Sequence, residues 1–218
     1  MLELLRRLRP SRSGSIESRT DIINLLLGGA SGRSYLEIGV RDRRHNFDKI
    51  KADLKHGVDP APRRPVTHHV TSDEFFEKGH AATYDVVFID GLHLDYQVER
   101  DVENSLKVLK PGGSIVLHDC NPMTADAQTE DYDGKKHWNG TVWKAWVKLR
   151  ATRGDLSMCV VDIDEGCGVI QRGSQQTIEL PSLEFAQLTF SYLDANRQRV
   201  LNLVPVSEFA KVPRSEVA

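Results

Sequence analysis

YDVVFIDGLHLDYQVERDVENSLKVLKPGGSIVLHD, residues 84–119, is the stretch that decides the fold. It opens with YDVVFID (84–90) and closes with SIVLHD (114–119), two continuous apolar runs that each end in an acid. A strand covered on both faces reads as such a run, because neither side of the pleat meets water, so both runs are expected in a parallel sheet. Between them, HLDYQVERDVENSLKVL (93–109) carries Tyr96, Val98, Val102, Leu106 and Leu109 at helical spacing, and KPGG (110–113) reads as a turn. Strand, helix and strand in that order make a βαβ unit.

Upstream, IESRTDIINLLLG (16–28) reads as a helix stopped at Gly28-Gly29, and SYLEIGV (34–40) as a strand. A short, irregular helix fits 46–56. LKHGVDP (54–60) reads as a second strand ending at Asp59, after which Pro60 and Pro62 break the chain. THHVTS (67–72) alternates weakly, as a third strand would, and SDEFFEKGHAA reads as a helix with Ser72 as its N-cap. Downstream, 121–138 is a polar loop long enough to be a lid or binding loop. TVWKAWVKLRA (141–151) is an amphipathic helix, LSMCVVDID and GCGVIQR read as antiparallel neighbours, and 182–204 suits a helix packing back on the domain, with a frayed end from Pro213.

The 218 residues favour one domain, 1–218, with an amino-terminal helical cap (1–30), a core (31–172) and a carboxy-terminal extension (173–218). A formal charge of −2 gives no global field to recruit nucleic acid or an anionic membrane. Arg6, Arg7, Arg9 and Arg12, and Arg41, Arg43 and Arg44, form local basic clusters that read as solvated surface. No apolar stretch is long enough to span a bilayer, and MLELLRRLRP lacks the apolar region of a signal peptide. Cys120, Cys159 and Cys167 have no metal-ligand spacing and argue against a disulfide framework, so a cytoplasmic location is expected. The amino-terminal helix and the tail could form a homodimer interface.

In open α/β sheets, ligands bind beyond the carboxyl ends of the strands. The expected strand ends read Glu37-Ile38-Gly39, Asp59, Ser72-Asp73, Asp90-Gly91-Leu92-His93 and His118-Asp119. Polar groups thus stand at every tip, although acids are poor strand formers.

This arrangement, from about 34 to 172, resembles the class I S-adenosylmethionine-dependent methyltransferases. The resemblance implies an α/β, Rossmann-like fold: a mostly parallel seven-stranded sheet with an antiparallel last strand and helices on both faces. Glu37 and Gly39 match the family's turn after the first strand, Asp59 the acid that holds the ribose hydroxyls, and Asp73 the polar residue that contacts adenine. Asp90 joins them in the cofactor site. The loop GVRDRRHNF (39–47) departs from the family in having no further glycine. That also weighs against a dinucleotide site, whose pyrophosphate needs three. Arg41 or Arg43 is then a candidate for the cofactor carboxylate.

FIDGLHLDYQVERD followed by GGSIVLHD resembles, more narrowly, a bacterial branch acting on sugars and secondary metabolites. The resemblance implies O-methylation of a hydroxyl on a sugar or other small polar acceptor. It leaves open a divalent metal such as magnesium at Asp90, His118 and Asp119, although an imidazole in that set tilts selectivity toward transition metals. A hydroxyl acceptor needs a general base or an acidifying metal, and His93, His118 and Asp119 are the candidates. His93 has a plainer reading as a helix cap or adenine contact, and His118 as a satisfied strand-end histidine. Trp138 and Tyr132 are candidate acceptor contacts, with His137 in the same lid, whereas Trp143 and Trp146 read as core. Two other functions fit some of these residues: a methyltransferase fold that binds without turnover, and a metal-dependent hydrolase.

Overall fold

The computed structural model describes residues 15–79, 82–132, 134, 137–180 and 187–211. The basic cluster at Arg6, Arg7, Arg9 and Arg12 and the stretch from Pro213 lie outside them.

The strands are β1 (Ser34–Ile38), β2 (Leu54–Val58), β3 (Tyr84–Ile89), β4 (Leu109–Leu117), β5 (Leu156–Val161), β6 (Cys167–Arg172) and β7 (Leu203–Val204). They form one seven-stranded sheet in the order β2-β1-β3-β4-β6-β5-β7. β6 runs antiparallel to both β4 and β5, and every other pairing is parallel. The helices are α1 (Arg19–Leu27), α2 (Ser72–Glu77), α3 (Asp95–Val108), α4 (Val142–Thr152), α5 (Phe190–Leu201) and α6 (Val206–Phe209). Chain order reverses between β1 and β3, so the cleft of this α/β sheet lies over their carboxyl ends.

The apolar runs build two cores because successive side chains point to opposite faces. Tyr35, Val86, Phe88 and Val116 pack with Ile22, Ile23 and Leu27 of α1. Leu36, Val87, Ile89, Ile115 and Leu117 pack with Val98, Val102 and Leu106 of α3 and with Trp143 and Trp146 of α4. Glu37 stands two residues beyond Tyr35 and so shares the α1 face. Trp143 and Trp146 are fully buried, and Trp146 lies so close to Gly168 that a side chain there would overlap its ring.

Some local expectations are corrected. THHVTS is not a strand: it makes a single bridge, Val58 to His68, because Thr71 and Ser72 already form the N-terminus of α2 and leave too few residues for a ladder. The N-cap of α2 is Thr71 rather than Ser72, with a capping box to Glu74. KPGG is not a turn but an irregularity inside β4, where pairing with β3 shifts register and Gly112 takes a φ of 72°. Within 46–56 only Phe47–Lys49 is helical, as one 3₁₀ turn. The tail supplies a helix over Phe190–Leu201 and also the short edge strand β7, which periodicity did not suggest.

Gly39 has a φ of 86°, and a Cβ there would overlap the carbonyl of Asp90 and the Cα of Gly91. Gly28, at a φ of 70°, has open space around it. Gly28→Ala should therefore cost about 1 kcal/mol from conformation alone. Gly39→Ala, which adds a backbone clash, should cost about 3 kcal/mol or more. Urea unfolding of the two variants checks this, and equal losses would show that the β1–β3 approach is not tight.

Candidate active site

The β1 tip carries Glu37, 2% exposed. Its Oε2 accepts from the Tyr35 hydroxyl at 2.6 Å and from Asn46 Nδ2 at 3.0 Å. Asn46 is held in turn by the Thr20 hydroxyl of α1 at 2.7 Å. Burial pushes the Glu37 pKa up to about 8, against the lowering effect of those two donors. The carboxyl is therefore largely protonated at neutral pH. At the β2 tip, Asp59 accepts the backbone N–H of Arg41 at 2.6 Å and of Ala61 at 2.7 Å, which closes the loop after β1 over it.

The β3 and β4 tips share one charge cluster. Asp90 Oδ1 lies 3.3 Å from His93 Nε2 and 3.4 Å from His118 Nδ1. Asp119 Oδ2 lies 3.0 Å from His118 Nδ1 and 3.4 Å from His93 Nδ1, and its Oδ1 accepts from Asn139 at 2.7 Å. Burial by itself would raise the Asp90 pKa, but His118 and then His93 outweigh it and hold the carboxyl well below its usual range. The converse holds for the histidines. Burial lowers each, and the carboxylates outweigh it, so His93 is raised and His118 raised strongly. Asp119 itself sits in the left-handed region at φ 61°. A non-glycine residue there stores strain, which the surrounding hydrogen bonds must hold.

The two histidines face different neighbours. His93 stacks on Trp138 with ring centroids 5.1 Å apart and 14° between planes, and the Tyr132 ring lies tilted 5.3 Å from that of Trp138. The segment around Trp138 is fixed because Gly140 leaves no room for a side chain against His93, and Thr141 N–H bonds the His93 carbonyl at 2.8 Å. His118 faces α1 instead: its Nε2 lies 3.0 Å from Arg19 Nη1 and 3.5 Å from Asp164 Oδ1. Asp164, in the β5–β6 turn at φ 50°, accepts both the Arg19 backbone N–H and its guanidinium at 3.0 Å.

Of the residues singled out from sequence, Glu37, Gly39, Asp90, His93, His118 and Asp119 thus meet over β1, β3 and β4, with Trp138 and Tyr132 beside them. Asp59 stands one strand further along. Asp73 turns away: its carboxylate bonds Arg100 at 3.0 Å and Gln97 at 3.1 Å, lining an open groove of about 560 Å³ between α2 and α3. Arg43 pairs with Asp48 at 2.6 Å on the surface, and Arg41 is exposed. His137 is exposed and lies 3.3 Å from Glu165. Sequence reasoning missed Arg19, Asn46, Asn139 and Asp164, none of which belongs to a local motif. It also missed Asp101, 1% exposed behind Gly91, whose pKa burial raises to about 6 against hydrogen bonds from Ser72 and Gln97.

The side chains that could hold a metal differ by one residue from the sequence expectation. Asp90, His93 and Asp119 each offer a ligand atom within 4.8 Å of the others, so His93 completes the set that sequence assigned to His118. Two oxygens and an imidazole suit a first-row transition ion better than magnesium.

A family of sequences described as "Methyltransferase domain" matches residues 5–120. The chain belongs to this family. The β2-β1-β3-β4-β6-β5 order around the antiparallel β6 gives this methyltransferase its class I, Rossmann-like fold. No curated protein sequence matches it. Among solved structures, an O-methyltransferase from Bacillus cereus in complex with SAH shares 16% identity, with 73% of this chain and 82% of that one covered, at a TM-score of 0.48. The N-methyltransferase NodS from Bradyrhizobium japonicum shares 17%, covering 72% and 95% at 0.45, and the O-methyltransferase TomG from Streptomyces achromogenes 16%, covering 69% and 77% at 0.41. Family membership rests on the sequence match alone. None of the helices among the described residues is long and apolar enough to cross a membrane.

Glu37 makes the methyltransferase sensitive to pH. Its folded pKa of about 8 lies above its ordinary value of 4.5, so its stabilising contribution is complete below the lower value and lost as pH rises through the higher. Urea unfolding of wild type should show stability falling between about pH 5 and pH 8. Glu37→Gln, which cannot ionise, should flatten that fall by on the order of 2 kcal/mol or more. An unchanged pH profile would mean that Glu37 is hydrated rather than buried.

Proposed function

We propose that the protein transfers a methyl group from S-adenosylmethionine to a hydroxyl of a small polar acceptor such as a sugar. One observation carries the reading: His93 is bonded to Asp90 on its edge and stacked on Trp138 on its face. A titratable group beside an aromatic wall, at the mouth of an α/β cleft, is what acceptor binding and deprotonation require.

Bound S-adenosylmethionine supplies the methyl group, activated on a sulfonium. Asp59 takes its ribose hydroxyls, which its carboxylate can do while keeping the Arg41 and Ala61 amides, since each oxygen has two lone pairs. Gly39 keeps the β1 backbone close to the cofactor's chain, and the Asp90 carboxylate faces its ammonium. Trp138 and Tyr132 give the acceptor a stacking surface. His93 is the better base of the two histidines because its side chain is 17% exposed and borders that surface, whereas that of His118 is 8% exposed and enclosed by Arg19 and Asp164. As a base His93 must be neutral, so activity should rise with pH through a value above the ordinary ~6.5. Asp119 and Asn139 orient the cluster. With a divalent ion bound, His93 would join Asp90 and Asp119 as a ligand instead of acting as the base, and the ion would acidify the acceptor hydroxyl.

Calorimetry with S-adenosylhomocysteine tests the donor: micromolar binding is expected, and a folded protein that does not bind it would remove the proposal. Asp59→Ala should weaken that binding by about tenfold or more, the worth of charge-assisted bonds to two hydroxyls. On an acceptor found by screening, His93→Ala should lower kcat by about 10²–10⁴-fold while leaving S-adenosylhomocysteine affinity unaltered. Activity that survives exhaustive chelation would place the base role on His93 without a metal.

A further inference from the structure

Arg19 is the cation that the strand tips do not account for. It is the first residue of α1, and α1 packs on the face of the sheet to which Glu37 points. Its guanidinium touches His118 and Asp164, and it lies in the electrostatic reach of Asp90 and Glu37. Among the described residues, every side-chain contact it makes runs through Nη1: 3.0 Å to each oxygen of Asp164 and 3.0 Å to His118 Nε2. Nε is buried and has no hydrogen-bond partner. The edge formed by Nε and Nη2 is the pair of parallel N–H donors that receives a carboxylate side-on. Asp164 therefore anchors one end of the fork and leaves the opposite edge unused.

We propose that this free edge of Arg19 binds the carboxylate of the amino-acid part of the methyl donor. The inference rests on the donor reading above and adds the residue that recognises the end of the cofactor. The sheet order fixes which end that is. With the ribose at Asp59 on β2, a ligand laid across the tips of β1 and β3 brings its amino-acid end to Asp90 and His118, where Arg19 stands. The charges also suit a zwitterion. Asp90 answers an ammonium, and Arg19 answers a carboxylate, so the group enters a cluster whose acids and bases are already paired without upsetting that balance. Arg41 is exposed and Arg43 pairs with Asp48 at the surface, whereas Arg19 Nε is a buried donor with no hydrogen-bond partner. Arg19 also makes α1 part of the binding site, although it precedes every strand.

The test compares S-adenosylhomocysteine with its decarboxylated analogue, which keeps the adenosine and the amine, by calorimetry on the full chain. Wild type should prefer S-adenosylhomocysteine by about 10-fold to 100-fold, as loss of a charge-assisted pair implies. Arg19→Ala should lower the affinity for S-adenosylhomocysteine by a similar factor, leave that for the analogue within about threefold, and so abolish the preference; Arg19→Lys should restore part of it. Equal loss for both ligands in a folded Arg19→Ala variant would mean a merely structural role and overturn the proposal, as would unchanged S-adenosylhomocysteine affinity. Should Arg19→Ala not fold, the wild-type preference and the Arg19→Lys ratio decide: no preference in wild type overturns the assignment. Wild type that binds both ligands equally removes Arg19 alone, whereas wild type that binds neither removes the donor reading with it.

Discussion

Asp90 ends a strand buried on both faces, and its charge must be matched there. The same oxygen that receives His93 on one side receives His118 on the other, so a single carboxylate fixes two imidazoles from two different strand tips. Asp119 repeats the arrangement from the neighbouring strand. Four ionisable groups that would each be costly to bury alone become affordable as a set. The placement of this cluster depends on the close backbone approach of Gly39 to Asp90 and Gly91, which only a residue without a Cβ permits.

From that centre the molecule divides into two halves with different chemistry. On the His118 side stand α1, the charged Arg19 and Asp164, and the buried, closely hydrogen-bonded Glu37 network. On the His93 side stand Trp138 and Tyr132, which offer ring faces and solvent access. A donor with a zwitterionic end suits the first half and an acceptor to be stacked and deprotonated suits the second, with Asp90 between them. The strain in the left-handed Asp119 and Asp164 lies where these halves meet the sheet.

The sequence by itself determined the parallel strands and the acids at their tips, because a run buried on both faces and a charge at its end are local patterns. It also separated Trp138 from the core tryptophans, since Trp138 precedes the helical period that buries Trp143 and Trp146. It misread THHVTS and KPGG because weak alternation and a turn-like composition do not reveal where the neighbouring strand and helix lie. Only the tertiary structure decided which histidine meets which carboxylate, that Asp73 turns toward Arg100, and that Arg19 joins Asp164 across 145 residues of chain. Periodicity reports how a segment meets a core. Which distant polar side chains meet depends on where the strands and α1 come to rest against one another, and no local pattern encodes that.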